Sequence, residues 1–195
     1  GGTIAKYAKK GKRVISIVFS YGENSHPWLK KTVVQKMRSK EALESSRVLG
    51  CKTYFFDLKE SNFLEEYKKK EIEKKLKKLV GQYKPYRIFT HSPEDPHPDH
   101  KATYRLTLDF KETFSGPKPE IYTYSVWNPV SVKTKYPVLY EDISHTFSLK
   151  LKALKMFRSQ RFNAIYPLLL AIFYRALRNG FKIKGKFAEK FYKIG

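Results

Sequence analysis

Three of the chain's five histidines fall in the eleven residues from Thr90 to His100, with three carboxylates and three prolines among them. Imidazole and carboxylate are side chains with which proteins hold zinc, and they also serve as general acids and bases. His97-Pro98-Asp99-His100 therefore reads as a metal or catalytic loop, with Asp95 two residues ahead of His97. The same residues have a plainer reading. Prolines and aspartates make turns, and Asp99 is a fair N-cap for whatever helix follows.

Side chains do chemistry only where elements hold them. The run from Tyr86 to Thr90 has the composition of a strand, and a helical pattern leads out from Asp99 to about Phe114. A proline-stiffened loop after a strand is where α/β proteins usually place their chemistry. Upstream, Thr3 to Lys10 predicts a short helix ended by Gly11, and Val14 to Phe19 a buried strand. A polar loop from Ser20 to Lys31 contains His26, read as a surface residue. Val33 to Leu49 then predicts a helix closed by Gly50, and Lys52 to Leu58 the next strand. Phe63 to Tyr83 reads as one long Lys/Glu helix with a solvated face. Ile121 to Val126 and Val138 to Ile143 predict two further strands. This alternation predicts an α/β fold, a Rossmann-like three-layer sandwich with a mostly parallel sheet and helices on both faces.

At 195 residues, 41% hydrophobic and 15% aromatic, the chain suits one globular domain over residues 1–195. Its single cysteine, Cys51, excludes an internal disulfide and suits a reducing, cytoplasmic compartment; beside a strand it reads as core packing. The formal charge of +22 calls for an anionic partner. From Lys150 onward there are twelve Lys or Arg and one acidic residue, Glu189, so residues 148–195 form a basic, helical C-terminal segment. Within it, Leu149 to Arg161 predicts a basic amphipathic helix and Ile165 to Leu177 an apolar one. The apolar run is too short to span a bilayer. Its aromatic content places it in the core, with an interfacial position on an anionic membrane surface as the alternative.

Several motifs together resemble one family, the PIG-L/LmbE-like de-N-acetylases, zinc hydrolases that deacetylate N-acetylglucosamine-type sugars. Asp95-Pro96-His97-Pro98-Asp99-His100 resembles that family's second metal-site motif. Arg38-Ser39-Lys40-Glu41 with Leu49-Gly50 resembles its Arg-x-x-Glu helix. Lys152-Ala153-Leu154 with Arg158-Ser159-Gln160, and Ala188-Glu189-Lys190-Phe191, resemble its C-terminal signatures. Gly1-Gly2-Thr3-Ile4-Ala5 resembles the continuation of its first motif, His-Pro-Asp-Asp-Glu, whose own residues are not in this sequence. With no initiator methionine and a helix from the start, the chain is expected to be a fragment lacking its first strand and first metal motif.

The resemblance implies that His100 is a Zn2+ ligand, and that His97 stabilises the oxyanion or protonates the leaving amine. It implies that Asp99 orients His97 as well as capping the helix, and that Arg38, with Glu41 as its partner, reaches the substrate. Asp95 would border the sugar or shape a turn, and His91 would cap the loop or touch the substrate. The expected partner is an N-acetylated amino sugar on an anionic or lipid-linked carrier, met in the cytoplasm or at the periphery of a membrane. Two other classes compete. A catalytically incomplete relative or fragment would act as a binding module. A nucleic-acid-binding protein would use the charge but leave the histidine loop unexplained.

Overall fold

The computed structural model describes residues 1–26, 28–114, 116–127 and 136–194. In chain order they form α1 (Gly2–Lys9), β1 (Ile15–Val18), α2 (Lys31–Leu49), β2 (Lys52–Phe55), α3 (Phe63–Lys69), α4 (Ile72–Tyr83) and β3 (Arg87–His91). There follow α5 (Pro98–Lys111), β4 (Glu120–Tyr124), β5 (Val138–Asp142), α6 (Phe147–Lys155), α7 (Tyr166–Phe181) and β6 (Ala188–Ile194). The chain divides into two units, Gly1–Asp57 with Tyr140–Glu189, and Leu58–Leu139 with Lys190–Gly195.

In the first unit β1 and β2 pair in parallel, Ile15 opposite Lys52. α2 stops where Gly50 takes a left-handed conformation, φ 75°, which a glycine adopts without steric cost. Ala5, Leu49 and Ala153 form one apolar cluster, with Cys51 packed against it, as the core reading of that cysteine requires. Ile143, Phe147, Ala176 and Phe187 form a second. His26 is buried rather than superficial, its ring 5.4 Å from that of Trp28. Glu189 ties three elements together. Its carboxylate accepts the backbone N–H groups of Gly2 and Thr3 at 3.2 and 2.8 Å, and Lys150 Nζ at 2.7 Å. A carboxylate at a helix N-terminus satisfies donors that the helix itself leaves free.

The second unit departs from the long helix expected over 63–83. Phe63 and Tyr67 are the buried residues of α3, Ile72 and Leu76 those of α4. At roughly 100° per residue, a straight helix would put Tyr67 and Ile72 on faces about 140° apart. The chain breaks instead, with Glu71 left-handed at φ 49°, and both pairs are buried.

The larger sheet also differs from expectation. It runs β3-β4-β6-β5. β3 and β4 are parallel, from Arg87 opposite Glu120 to His91 opposite Tyr124, whereas β6 lies antiparallel on β4, Ile194 opposite Ile121. The sheet is thus mixed rather than wholly parallel, and β6 was not among the expected strands. Its burial recurs every third residue, at Ala188, Phe191 and Ile194, with lysines between, so it lacks the alternation that announces a strand.

Two C-terminal expectations change as well. The helix predicted over 149–161 ends at Lys155, and Arg158–Gln160 forms a 3-10 turn. The buried Glu41 explains the turn: its carboxylate accepts both the N–H and the hydroxyl of Ser159, at 2.8 and 2.7 Å. α7, expected in the core, buries only Ala176 and Gly180; Leu170 is 84% exposed and Phe181 74%.

Candidate metal centre

β3 ends on His91, and α5 begins at Pro98, so six residues carry the chain from strand to helix. His97 is the N-cap of α5, and Pro98 occupies the first helical turn, where its missing N–H costs nothing. His100 then falls in that same turn. The strand end is fixed by β4: beyond the ladder, the Ser92 N–H donates to the Tyr124 carbonyl at 2.9 Å. The helix is fixed to the strand by the Thr90 and Thr107 hydroxyls, 3.0 Å apart.

Asp95 organises the loop. It is fully buried, 0% exposed. Its Oδ1 accepts the His97 N–H at 3.2 Å, and Oδ2 accepts the Val126 and Trp127 N–H groups at 3.2 and 3.3 Å. Oδ1 also lies 2.9 Å from His100 Nδ1, within ion-pair distance though without the alignment of a hydrogen bond. Burial alone would raise the Asp95 carboxyl; the donated His97 N–H and the His100 ring outweigh it and hold it below its ordinary value.

The His91 and His100 rings stack, centroids 3.8 Å apart and 8° from parallel, with Tyr124 5.0 Å from His91 on the paired strand. Burial, and then the neighbouring His100, pushes His91 down to about 3. Burial also lowers His100, against the opposing pull of Asp95. Both rings are therefore neutral near pH 7, the form that ligates metal. The Nδ1 atoms of His91 and His100 are buried without a hydrogen-bond partner. Two neutral imidazoles beside a carboxylate, with the His91 Nδ1 buried and unpaired, make a donor set that suits zinc. Among the described residues, His91, Asp95 and His100 are the group that could hold a metal ion, with donor atoms within 4.8 Å of one another.

His97 stands beside this group, its ring 4.8 Å from that of His100. Its Nδ1 accepts the N–H of Asp99 at 3.2 Å, while the Asp99 carboxylate accepts the Ser61 N–H at 2.9 Å. The backbone of Asp99 thus holds the His97 ring, and its side chain anchors the loop before α3. An Nδ1 that accepts carries no proton, so the neutral His97 ring bears its N–H on Nε2.

Five residues of β3, α5 and the loop between them, His91, Asp95, His97, Asp99 and His100, come together in the second unit; Arg38 lies half-buried on α2 in the first. His91, expected to cap the loop or touch the substrate, belongs to the group that could hold a metal ion. The signal is positional: the last residue of a strand and the first turn of the next helix converge when the loop between them is short.

Residues 1–111 match the family described as PIG-L, GlcNAc-PI de-N-acetylase. Among solved structures, N,N'-diacetylchitobiose deacetylase from Pyrococcus horikoshii is similar at 25% identity and TM-score 0.79, over 99% of this chain and 77% of that one. GalB, the 4-carboxy-2-hydroxymuconate hydratase of Pseudomonas putida KT2440, is 19% identical at TM-score 0.82, over 100% and 89%. The teicoplanin deacetylase Orf2 is 15% identical at TM-score 0.77, over 99% and 91%. At such identities the last two likenesses show a shared fold alone.

Proposed function

Because the chain belongs to the PIG-L family, we propose that it is a zinc-dependent hydrolase removing the acetyl group from an N-acetylglucosamine-type sugar, with His100 as a metal ligand. The single observation that carries this is the His91–Asp95–His100 group, built on the buried Asp95 and standing beside the N-capping His97. The similar chitobiose deacetylase supports the substrate class.

Zinc, when bound, supplies an activated water and polarises the acetyl carbonyl. With His100 Nδ1 turned to Asp95, its Nε2 is the nitrogen left for the metal. Asp95 holds the ring in its plane, and His91 backs one face of it. His97 serves as the oxyanion donor. Its Nδ1 is occupied by the Asp99 N–H, so giving up the Nε2 proton outright would leave an imidazolate. The ring therefore acts by donating a hydrogen bond from Nε2 to the oxygen that gains charge as water adds to the amide carbon. The proton leaving the water passes to a base and from it to the departing amine as the C–N bond breaks; the family resemblance assigns that base to the His-Pro-Asp-Asp-Glu motif, which this sequence does not contain. Arg38, from the Arg-x-x-Glu resemblance, is assigned to sugar or phosphate oxygens. The excess of positive charge favours an anionic or lipid-linked carrier.

The test is acetate release from N-acetylated amino sugars by the natural full-length protein and its His97→Ala variant. The variant is expected to lose about 100- to 10,000-fold in kcat while keeping its zinc. Equal rates, or no acetate from any acetylated amino sugar, would reject the assignment.

A further inference from the structure

The C-terminal part of the first unit presents an apolar surface that the proposed chemistry does not use. Along α7 and the turn before it, Phe162 is 79% exposed, Tyr166 52%, Leu170 84%, Tyr174 61% and Phe181 74%. These residues recur at steps of four and seven, which keep them along one side of a helix. The buried residues of α7 are Ala176 and Gly180. Aromatic contacts run along the helix. Phe162 meets Tyr166 edge-on at 5.5 Å, and Phe173 packs against Phe147 and Phe187 at 5.5 and 5.4 Å.

A basic rim runs beside it. Tyr174, Arg178 and Lys182 follow one another at four-residue steps, so exposed cations continue the row next to the stripe. Lys152, Lys155 and Arg158 add further exposed cations, and no acidic residue occurs between Asp142 and Glu189. No helix among the described residues is long and apolar enough to cross a membrane. A helix with this pattern lies in the plane of a lipid surface, its apolar face among the acyl chains and its cations at the headgroups.

From this juxtaposition we propose that the α7 face docks the protein on an anionic lipid surface. The charge pattern selects this occupant. A second copy of the chain would bring another +22 against the same rim. A nucleic acid would satisfy the rim yet leave Leu169 and Leu170 in water. The proposal stands apart from the zinc chemistry and does not depend on it.

The experiment is sedimentation of the natural full-length protein with vesicles of phosphatidylcholine, alone or doped with phosphatidylglycerol, at low and high salt. Two variants accompany it, Leu170→Ser/Phe181→Ser and Arg178→Gln/Lys182→Gln. Wild type is expected to bind the anionic vesicles and not the neutral ones. The apolar variant is expected to lose at least about tenfold in affinity while keeping its circular dichroism and melting point. The charge variant is expected to bind more weakly, with a flatter dependence on salt. Three results would overturn the proposal: no vesicle binding, with or without tight binding to duplex DNA; an apolar variant that binds as wild type does; or one that unfolds, which would place the stripe in the core. A wild-type dimer that the apolar variant dissociates in light scattering would give the face to a second copy instead.

Discussion

A histidine offered to a metal needs its other nitrogen held, because a free ring swings and carries the lone pair with it. Asp95 meets that need for His100, and the three backbone N–H groups on its oxygens fix the carboxylate itself. In Asp95→Asn the volume is kept but the charge is lost. Zinc affinity should fall about 10- to 100-fold, with full stoichiometry recovered at saturating zinc, as read by chelator competition. An unchanged affinity would contradict the role given to Asp95. At this scale the sequence was informative where chemistry is local: His97, Asp99 and His100 share one loop and one helical turn, so their spacing implied their proximity. The burial of Asp95 was not legible, because its Val126 and Trp127 donors lie some thirty residues away. The same holds for Asp99, whose carboxylate goes to Ser61 rather than to the His97 ring.

Elements stay where polar anchors hold their ends. Glu189 joins the start of α1 to Lys150 on α6 at the beginning of β6. Burial alone would raise this carboxyl, but Lys150 and the donated Thr3 N–H keep it well below its ordinary value of 4.5. The sign follows from linkage. A carboxyl depressed in the folded state contributes stability above its unfolded pKa, and that contribution is lost as pH falls through the folded value. The melting temperature of the wild type should therefore decline below about pH 4.5. Glu189→Gln should be less stable near neutrality by about 1–3 kcal/mol and decline less steeply in acid. Parallel pH profiles for the two proteins would contradict this. Helix ends were the legible feature at this scale, since Gly50 closes α2 as its position implies. The break between α3 and α4 is encoded in the five-residue step from Tyr67 to Ile72, which a count of charges over 63–83 conceals. β6 was hidden by its lysines, and α7 by a composition that reads as core when its exposed face is not known.

Across the whole molecule, the α/β class was recoverable from the alternation of elements, whereas the antiparallel β6 depends on a pairing between Ile121 and Ile194 that no local pattern announces. The family likewise followed from ordered motifs spread along the chain, and it is confirmed over residues 1–111. Fold alone does not decide the reaction, because a hydratase shares this architecture as closely as the deacetylases do. What separates the readings is whether a metal binds at His100, as proposed. Elemental analysis of the natural full-length protein should find about one zinc per chain, and none in the His100→Ala variant. Zinc absent from both proteins, or retained equally in both, would contradict the account.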